Sequence, residues 1–160
     1  MNTPFLVVNP KAYLSKDALI HLAQGADRIA LEHQITIYFT APFTMLNPLK
    51  NTTNSLIITA QHMDANPPGR GMGSVTAEAL KDAGVQATFL NHAESPLTMN
   101  QLLQSIKRAQ THHIKTIVCA DSVDEAVAVA HLNPTIVLAE PTALIGSGQA
   151  PDDDYITETI

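Results

Sequence analysis

The sequence feature that most constrains the fold is a short apolar run that recurs six times. The runs occupy residues 4–8, 35–39, 55–60, 87–90, 116–119 and 135–139. Most of the intervals between them carry apolar residues at helical spacing. Alternating strand and helix patterns are typical of α/β proteins with a parallel sheet. The sequence therefore predicts repeated βα units within a single domain spanning residues 1–160.

Capping residues mark the starts of four predicted helices. They are Ser15, Thr76 and the pairs Thr98/Gln101 and Ser122/Glu125, which have capping-box spacing. Gly84 is expected to end the helix that follows Thr76, in the left-handed conformation that glycine favours. On the first helix, an apolar face is predicted from seven residues: Ala18, Leu19, Leu22, Ala23, Ala26, Ile29 and Ala30.

Regular βα units can close in two ways, as an open doubly wound sheet or as a (β/α)8 barrel. Asn9, Pro10 and Lys11 follow the first predicted strand, where a dinucleotide-binding fold would carry a glycine-rich fingerprint. The barrel is therefore favoured. At roughly 27 residues per unit the chain holds only about six units, so we expect a barrel-type chain truncated at its C-terminus.

Composition excludes several classes of protein. No run of about 18 apolar residues occurs, and the first residues lack the pattern of a signal peptide, so a soluble cytoplasmic protein without membrane association is expected. The single cysteine, Cys119, rules out an internal disulfide and disfavours a zinc site. A net charge of −6 with 9 unclustered basic residues argues against nucleic-acid binding, but not against a small anionic substrate.

Four polar residues follow predicted strands and should share the carboxyl rim of the sheet. They are Asn9, Lys11, His92 and Glu140. This set suits proton abstraction next to a carbonyl: Glu140 takes the carbon-bound proton and His92 polarises the oxygen, while Lys11 and Asn9 stabilise the developing negative charge.

The segment after Glu140 has the composition of a loop that could close over a ligand. Pro141 cannot continue a central strand. Further on, Gly146 and Gly148 flank Ser147. Two glycines around a hydroxyl can hinge a loop and offer backbone N–H groups to an anion.

Several motifs, taken together, resemble those of triosephosphate isomerases, particularly the archaeal short-loop branch. They are Asn9-Pro10-Lys11, AQHMD at 60–64, GVQATFLNHAES at 84–95, VCA at 118–120 and AEPTALIGSG at 139–148. The resemblance runs from residue 5 to 160. It implies a (β/α)8 barrel and an intramolecular oxidoreductase, an aldose–ketose isomerase of glycolysis and gluconeogenesis. Such an enzyme interconverts dihydroxyacetone phosphate and glyceraldehyde 3-phosphate and uses neither a metal nor an organic cofactor.

The resemblance also implies roles for individual residues. Asn9 and Lys11 match substrate-binding residues, His92 the electrophile and Glu140 the base. Residues 141–148, with Gly146 and Ser147, match the substrate-closing lid. A homo-oligomer, either a dimer or a tetramer, is implied as well.

The chain departs from the family pattern at several positions. Ala93 replaces the serine that holds the base before the lid closes, and Ser147 replaces a threonine of the lid. Met72 replaces a threonine in the loop that reaches into a neighbouring subunit. The seventh and eighth units, which grip the substrate phosphate in the family, are not recognised.

Three hypotheses follow from the sequence. The chain is an isomerase of phosphorylated trioses, a catalytically inactive paralogue that acts in binding or assembly, or an isomerase of another small sugar.

Overall fold

A computed structural model describes residues 4–141 as an alternation of six strands and five helices. The strands are β1 (Phe5–Val8), β2 (Thr36–Ala41), β3 (Ile57–Ala60), β4 (Ala87–Leu90), β5 (Lys115–Ala120) and β6 (Ile136–Ala139). The helices are α1 (Lys16–His33), α2 (Phe43–Thr52), α3 (Ala77–Asp82), α4 (Met99–Thr111) and α5 (Val123–Ala130). All six predicted strands are confirmed, each within two residues of its expected bounds.

The six strands form one sheet in the order β1-β2-β3-β4-β5-β6, and every neighbouring pair is parallel. Each strand therefore pairs with the next one along the chain, and the sheet curls into part of a barrel. A doubly wound sheet reverses its strand order at a switch point. The barrel-type prediction is confirmed, and the carboxyl ends of all six strands lie on one rim.

Capping explains where most of the helices begin. The side chains of Ser15, Thr76 and Ser122 accept backbone N–H groups of α1, α3 and α5, and Thr98 forms a complete capping box with Gln101. The box expected at Ser122 is only half formed, because the Glu125 carboxylate accepts the N–H of Asp121 instead.

One helix end follows the sequence prediction, and one helix was not predicted. Gly84 follows α3 with φ +81°, as predicted. Helix α2 begins after Pro42 and contains Pro48, without a side-chain cap.

Buried side chains form two layers, one on each face of the sheet. The larger layer lies between the sheet and its helices and includes Phe39, Ile58, Leu90 and Ile106. The smaller layer comprises Tyr38, Ala87, Phe89, Ile117 and Cys119. Alternation along the strands sends neighbours such as Tyr38 and Phe39 to opposite faces.

An apolar groove of about 330 Å³ lies where α1 crosses the outer side of β1. Among residues 4–141 this edge of β1 has no strand partner. Leu6, Leu22 and Ile29 line the groove and remain 40–49% exposed. The predicted apolar face of α1 is therefore only partly correct. Leu19, Ala23, Ala26 and Ala30 are buried, whereas Leu22 and Ile29 line the groove and Ala18 is exposed.

None of the helices described within residues 4–141 has the length and apolar character needed to cross a membrane.

Candidate active site

The loop after β1 places Asn9 and Lys11 on the carboxyl rim. Lys11 adopts a left-handed backbone with φ +50°, and its N–H donates to the Asn9 side-chain oxygen at 3.1 Å. This short turn aims the lysine side chain across the rim. Its ammonium lies 2.9 Å from a carboxylate oxygen of Glu94, which follows β4. An ion pair thus links the rim ends of two strands that are not adjacent in the sheet.

His92 is held in a tight turn after β4. The Ser95 N–H donates to the His92 carbonyl at 2.7 Å, and the Glu94 N–H donates to Nδ1 of the imidazole at 3.1 Å. A ring nitrogen that accepts an N–H carries no proton, so the neutral imidazole carries its hydrogen on Nε2. His92 is therefore set up as a hydrogen-bond donor through Nε2.

Asn91 anchors this turn to its surroundings. It adopts φ +57°, and its amide nitrogen donates to the Cys119 carbonyl at 3.1 Å and to the Glu125 carboxylate at 3.2 Å. Its side-chain oxygen accepts the Leu97 N–H at 3.0 Å. The residue immediately before His92 is thus bound to β5, to α5 and to the segment that leads into α4.

Glu140 follows β6 and faces His92. Its backbone N–H donates to the Ala120 carbonyl at 2.9 Å, which continues the β5–β6 ladder by one step. One carboxylate oxygen, Oε1, lies 3.6 Å from Nε2 of His92. That oxygen is enclosed by protein and lacks a hydrogen-bond partner within residues 4–141. A carboxylate with an unsatisfied, enclosed oxygen is well suited to accept a proton.

His92 and Glu140 line two different cavities. The first, about 270 Å³, is lined by Asn9, Lys11, His62, His92 and Glu94 among others. The second, about 230 Å³, is lined by Asn91, Ala93, Cys119, Glu125 and Glu140 among others. The structure thus brings Asn9, Lys11 and His92 to one cavity, as expected from the sequence. Glu140 contacts His92 but lines the neighbouring cavity.

The thiol of Cys119 lies at the second cavity. Burial raises the pKa of this thiol to about 12, and the negative charges of Glu140 and Glu125 act in the same direction. The sulfur is therefore a neutral group beside the Glu140 carboxylate at physiological pH. Across the rim, the hydrogen bond from Lys11 lowers the pKa of Glu94, which keeps that carboxylate ionised.

Two site residues expected from the sequence, Gly146 and Ser147, lie outside the described residues, as does the rest of the expected lid beyond Pro141. Within residues 4–141 there is no cluster of three or more His, Cys, Asp or Glu side chains that could hold a metal ion. Three further residues, Gln61, His62 and Glu94, line the first cavity without having been predicted as site residues from the sequence. Their positions could have indicated this, because Gln61 and His62 directly follow β3 and Glu94 lies four residues after β4.

Comparison with known proteins gives a consistent family relationship. The model of the family described as triosephosphate isomerase matches residues 4–160. Triosephosphate isomerases from Metallosphaera sedula and Methanoculleus marisnigri are 33% and 34% identical to the chain over 150 and 151 residues. Both alignments cover 92% of the chain, and they cover 65% and 67% of the relatives.

A triosephosphate isomerase from Caldivirga maquilingensis is 32% identical over 165 residues, which cover all of this chain and 73% of the relative. The chain thus spans about two thirds of the length of the curated relatives that it matches, and 65% of the first two. Matched along nearly its whole length by the family model, this chain belongs to the triosephosphate isomerase family.

Proposed function

We propose that this chain carries the catalytic groups of a triose-phosphate isomerase, which interconverts dihydroxyacetone phosphate and glyceraldehyde 3-phosphate. The observation that carries the proposal is the contact between His92 and Glu140. An Nε2–H donor, fixed by the Glu94 N–H on Nδ1, lies 3.6 Å from a carboxylate oxygen that has no hydrogen-bond partner within residues 4–141. A donor for a carbonyl oxygen and an acceptor for a carbon-bound proton stand side by side.

The reaction needs only proton movements. Glu140 removes the proton from the carbon next to the carbonyl, and His92 donates a hydrogen bond from Nε2 to the carbonyl oxygen, which gains negative charge as the enediolate forms. Return of the proton to the neighbouring carbon moves the carbonyl by one position. No electrons leave the substrate, so the reaction requires no redox cofactor, and the charge of the enediolate is stabilised by His92 and Lys11.

Lys11 supplies the positive charge of the site. Its ammonium is held at the rim by Glu94 and stabilises the anionic substrate and the enediolate, and Asn9 fixes the turn that aims it. Gly146 and Ser147, in the segment after Pro141, contribute backbone N–H groups and a hydroxyl to the phosphate. These two roles are supported by the sequence motif and by the family relationship.

The test is a coupled assay of glyceraldehyde 3-phosphate isomerisation on the parent and on the Glu140→Gln variant, with a reaction that contains no protein as its blank. This substitution removes the base and nearly preserves its shape, so isomerase activity should fall to the blank while the circular dichroism spectrum stays that of the parent. Activity that survives in Glu140→Gln would refute the assignment of the base. A parent protein that is folded but inactive on both trioses would refute the proposed function.

A second candidate function, assembly with a partner without catalysis, is favoured by one observation. The groove beside β1 exposes apolar side chains of Leu6, Leu22 and Ile29, and such surfaces commonly mark interaction sites. A stable complex formed by a folded but inactive protein would support this candidate. Isomerisation of an unphosphorylated sugar, in contrast, would support an isomerase of another small sugar.

A cytoplasmic homo-oligomer, a dimer or tetramer, completes the proposal. The loop at 66–73 exposes the whole side chain of Met72, and Asn66 braces the loop through a 2.9 Å hydrogen bond to Ser74. A fully exposed methionine on a braced loop is well suited to a subunit contact. Sedimentation equilibrium should give two or four copies, and a monomer at all concentrations would contradict this part.

A further inference from the structure

The segment after β3 brings a second histidine to the cavity that holds Lys11 and His92. Strand β3 ends at Ala60, and the residues Gln61 and His62 follow on the carboxyl rim and line the first cavity. The side chain of His62 is 18% exposed, so it is largely enclosed by the cavity wall. The role proposed above for the site makes no use of this histidine.

Asp64 fixes one edge of the His62 ring. Its Oδ1 lies 3.2 Å from Nε2 of His62, and its Oδ2 accepts the Val75 N–H at 2.7 Å. The Asp64 N–H donates to the Val75 carbonyl at 2.9 Å, so the aspartate is held through both its backbone and its side chain. An ionised carboxylate can only accept, which means that Nε2 of His62 carries the hydrogen.

This arrangement leaves the other ring nitrogen as an acceptor. In a neutral imidazole with hydrogen on Nε2, Nδ1 carries a lone pair. Asp64 is not among the residues that line the cavity, whereas His62 is. Because the Asp64 carboxylate occupies Nε2, Nδ1 is the ring nitrogen that remains for a hydrogen bond to a ligand in the cavity that His62 lines.

The two histidines are thus held in complementary roles by their partners. At His92 the Glu94 N–H occupies Nδ1, which leaves Nε2–H as a donor. At His62 the Asp64 carboxylate occupies Nε2, which leaves Nδ1 as an acceptor. A ligand with a carbonyl next to a hydroxyl needs one donor and one acceptor at neighbouring positions.

We propose that His62 is a specificity-determining residue that accepts a hydrogen bond from a substrate hydroxyl through Nδ1, and that Asp64 is its positioning residue. The inference rests on the proposed function and extends it to the recognition of hydroxy-carbonyl substrates. His92 polarises the carbonyl, and His62 selects a substrate that presents a hydroxyl. A compound that lacks the hydroxyl would leave the enclosed acceptor unpaired, which lowers affinity.

The key variant is Asp64→Asn. The amide oxygen can keep the Val75 N–H, while the amide nitrogen now donates to Nε2 of His62 and moves the ring hydrogen to Nδ1. His62 then faces the cavity as a donor. His62→Leu removes the acceptor altogether, and Asn66→Ala is the matched control, because it breaks a hydrogen bond in the same loop without touching the cavity.

Two measurements test the proposal. Ring ¹⁵N chemical shifts report which nitrogen of His62 carries hydrogen, and calorimetry measures binding of dihydroxyacetone phosphate in a Glu140→Gln background, where no turnover occurs. We expect hydrogen on Nε2 in the parent and on Nδ1 in Asp64→Asn. Affinity should fall about tenfold in Asp64→Asn and in His62→Leu, and it should be unchanged in Asn66→Ala.

Each other result counts against the proposal. Hydrogen on Nδ1 in the parent, parental affinity in His62→Leu, or an equal loss in Asn66→Ala would overturn the assignment of His62 while leaving the proposed function intact. A loss of affinity in Asp64→Asn without a change of tautomer would overturn the role of Asp64. Failure of the parent background to bind dihydroxyacetone phosphate at all would overturn the proposed function and this inference together.

Discussion

Replacement of Asn91 by alanine should be among the most destabilising single changes on the rim. The residue combines a left-handed backbone, φ +57°, with three side-chain hydrogen bonds to Cys119, Glu125 and Leu97. An alanine at this position must still adopt the left-handed backbone conformation, and it loses all three hydrogen bonds. It also removes the anchor of the turn that presents His92.

The size of the effect follows from these contacts. Each lost hydrogen bond costs about 1 kcal/mol, and a left-handed alanine costs about 1 kcal/mol more than a left-handed asparagine. Together these losses lower the free energy of unfolding by about 4 kcal/mol. That is a large fraction of the stability of an ordinary domain.

Asn133 provides the matched control. It also adopts a left-handed backbone, φ +58°, but its side chain makes no hydrogen bond within residues 4–141. Asn133→Ala should therefore cost only the backbone contribution of about 1 kcal/mol. Urea unfolding followed by circular dichroism gives both values, and an Asn91→Ala protein that is no less stable than Asn133→Ala would refute the reasoning.

Two further predictions concern charge on the rim. Lys11→Met should raise KM and lower kcat together, because Lys11 contacts both the bound substrate and the developing charge; an effect on stability alone would contradict this claim. The same variant should return the pKa of Glu94 towards the ordinary value for a carboxyl group, which NMR titration can measure. The stability of the parent should fall as pH rises from about 9 towards 12, since the unfolded Cys119 thiol ionises near pH 9.0 and the folded thiol only at about 12, so the unfolded chain releases the proton first. Cys119→Ala should lose this part of the alkaline slope in urea unfolding, and an unchanged slope would show that other groups cause it.

The strands were predictable because each is a short apolar run with a clear end. A polar residue directly follows five of the six strands, and Pro42 follows β2. The sheet order then follows from the preference of consecutive units for neighbouring positions. Helix α2 was not identified, because Pro42 and Pro48 are residues that usually argue against a helix, yet Pro42 precedes its first turn. The exposure of Leu22 and Ile29 depends on whether another element packs against the outer side of β1. The apolar periodicity of α1 does not contain that information.

The candidate site was predictable only as far as the rim. Placement after a strand locates Asn9, Lys11, His92 and Glu140 at one edge. It does not reveal that the Lys11 ammonium pairs with Glu94, or that Glu140 opens on a second cavity. Those features depend on side-chain directions set by left-handed residues and by long-range hydrogen bonds, which local patterns do not encode.

Because Cys119 is buried, the reactivity of its thiol can report the opening of the rim. Cys119 is the single cysteine among the 160 residues, and it is 3% exposed at the junction of β5 with the Glu140 carboxylate. With a pKa of about 12, roughly one thiol in ten thousand is ionised at pH 8 in the closed protein. Labelling by a thiol reagent therefore has to pass through states in which the rim has opened. The rate of that one reaction would measure how often the structure around Cys119 opens, without any added probe.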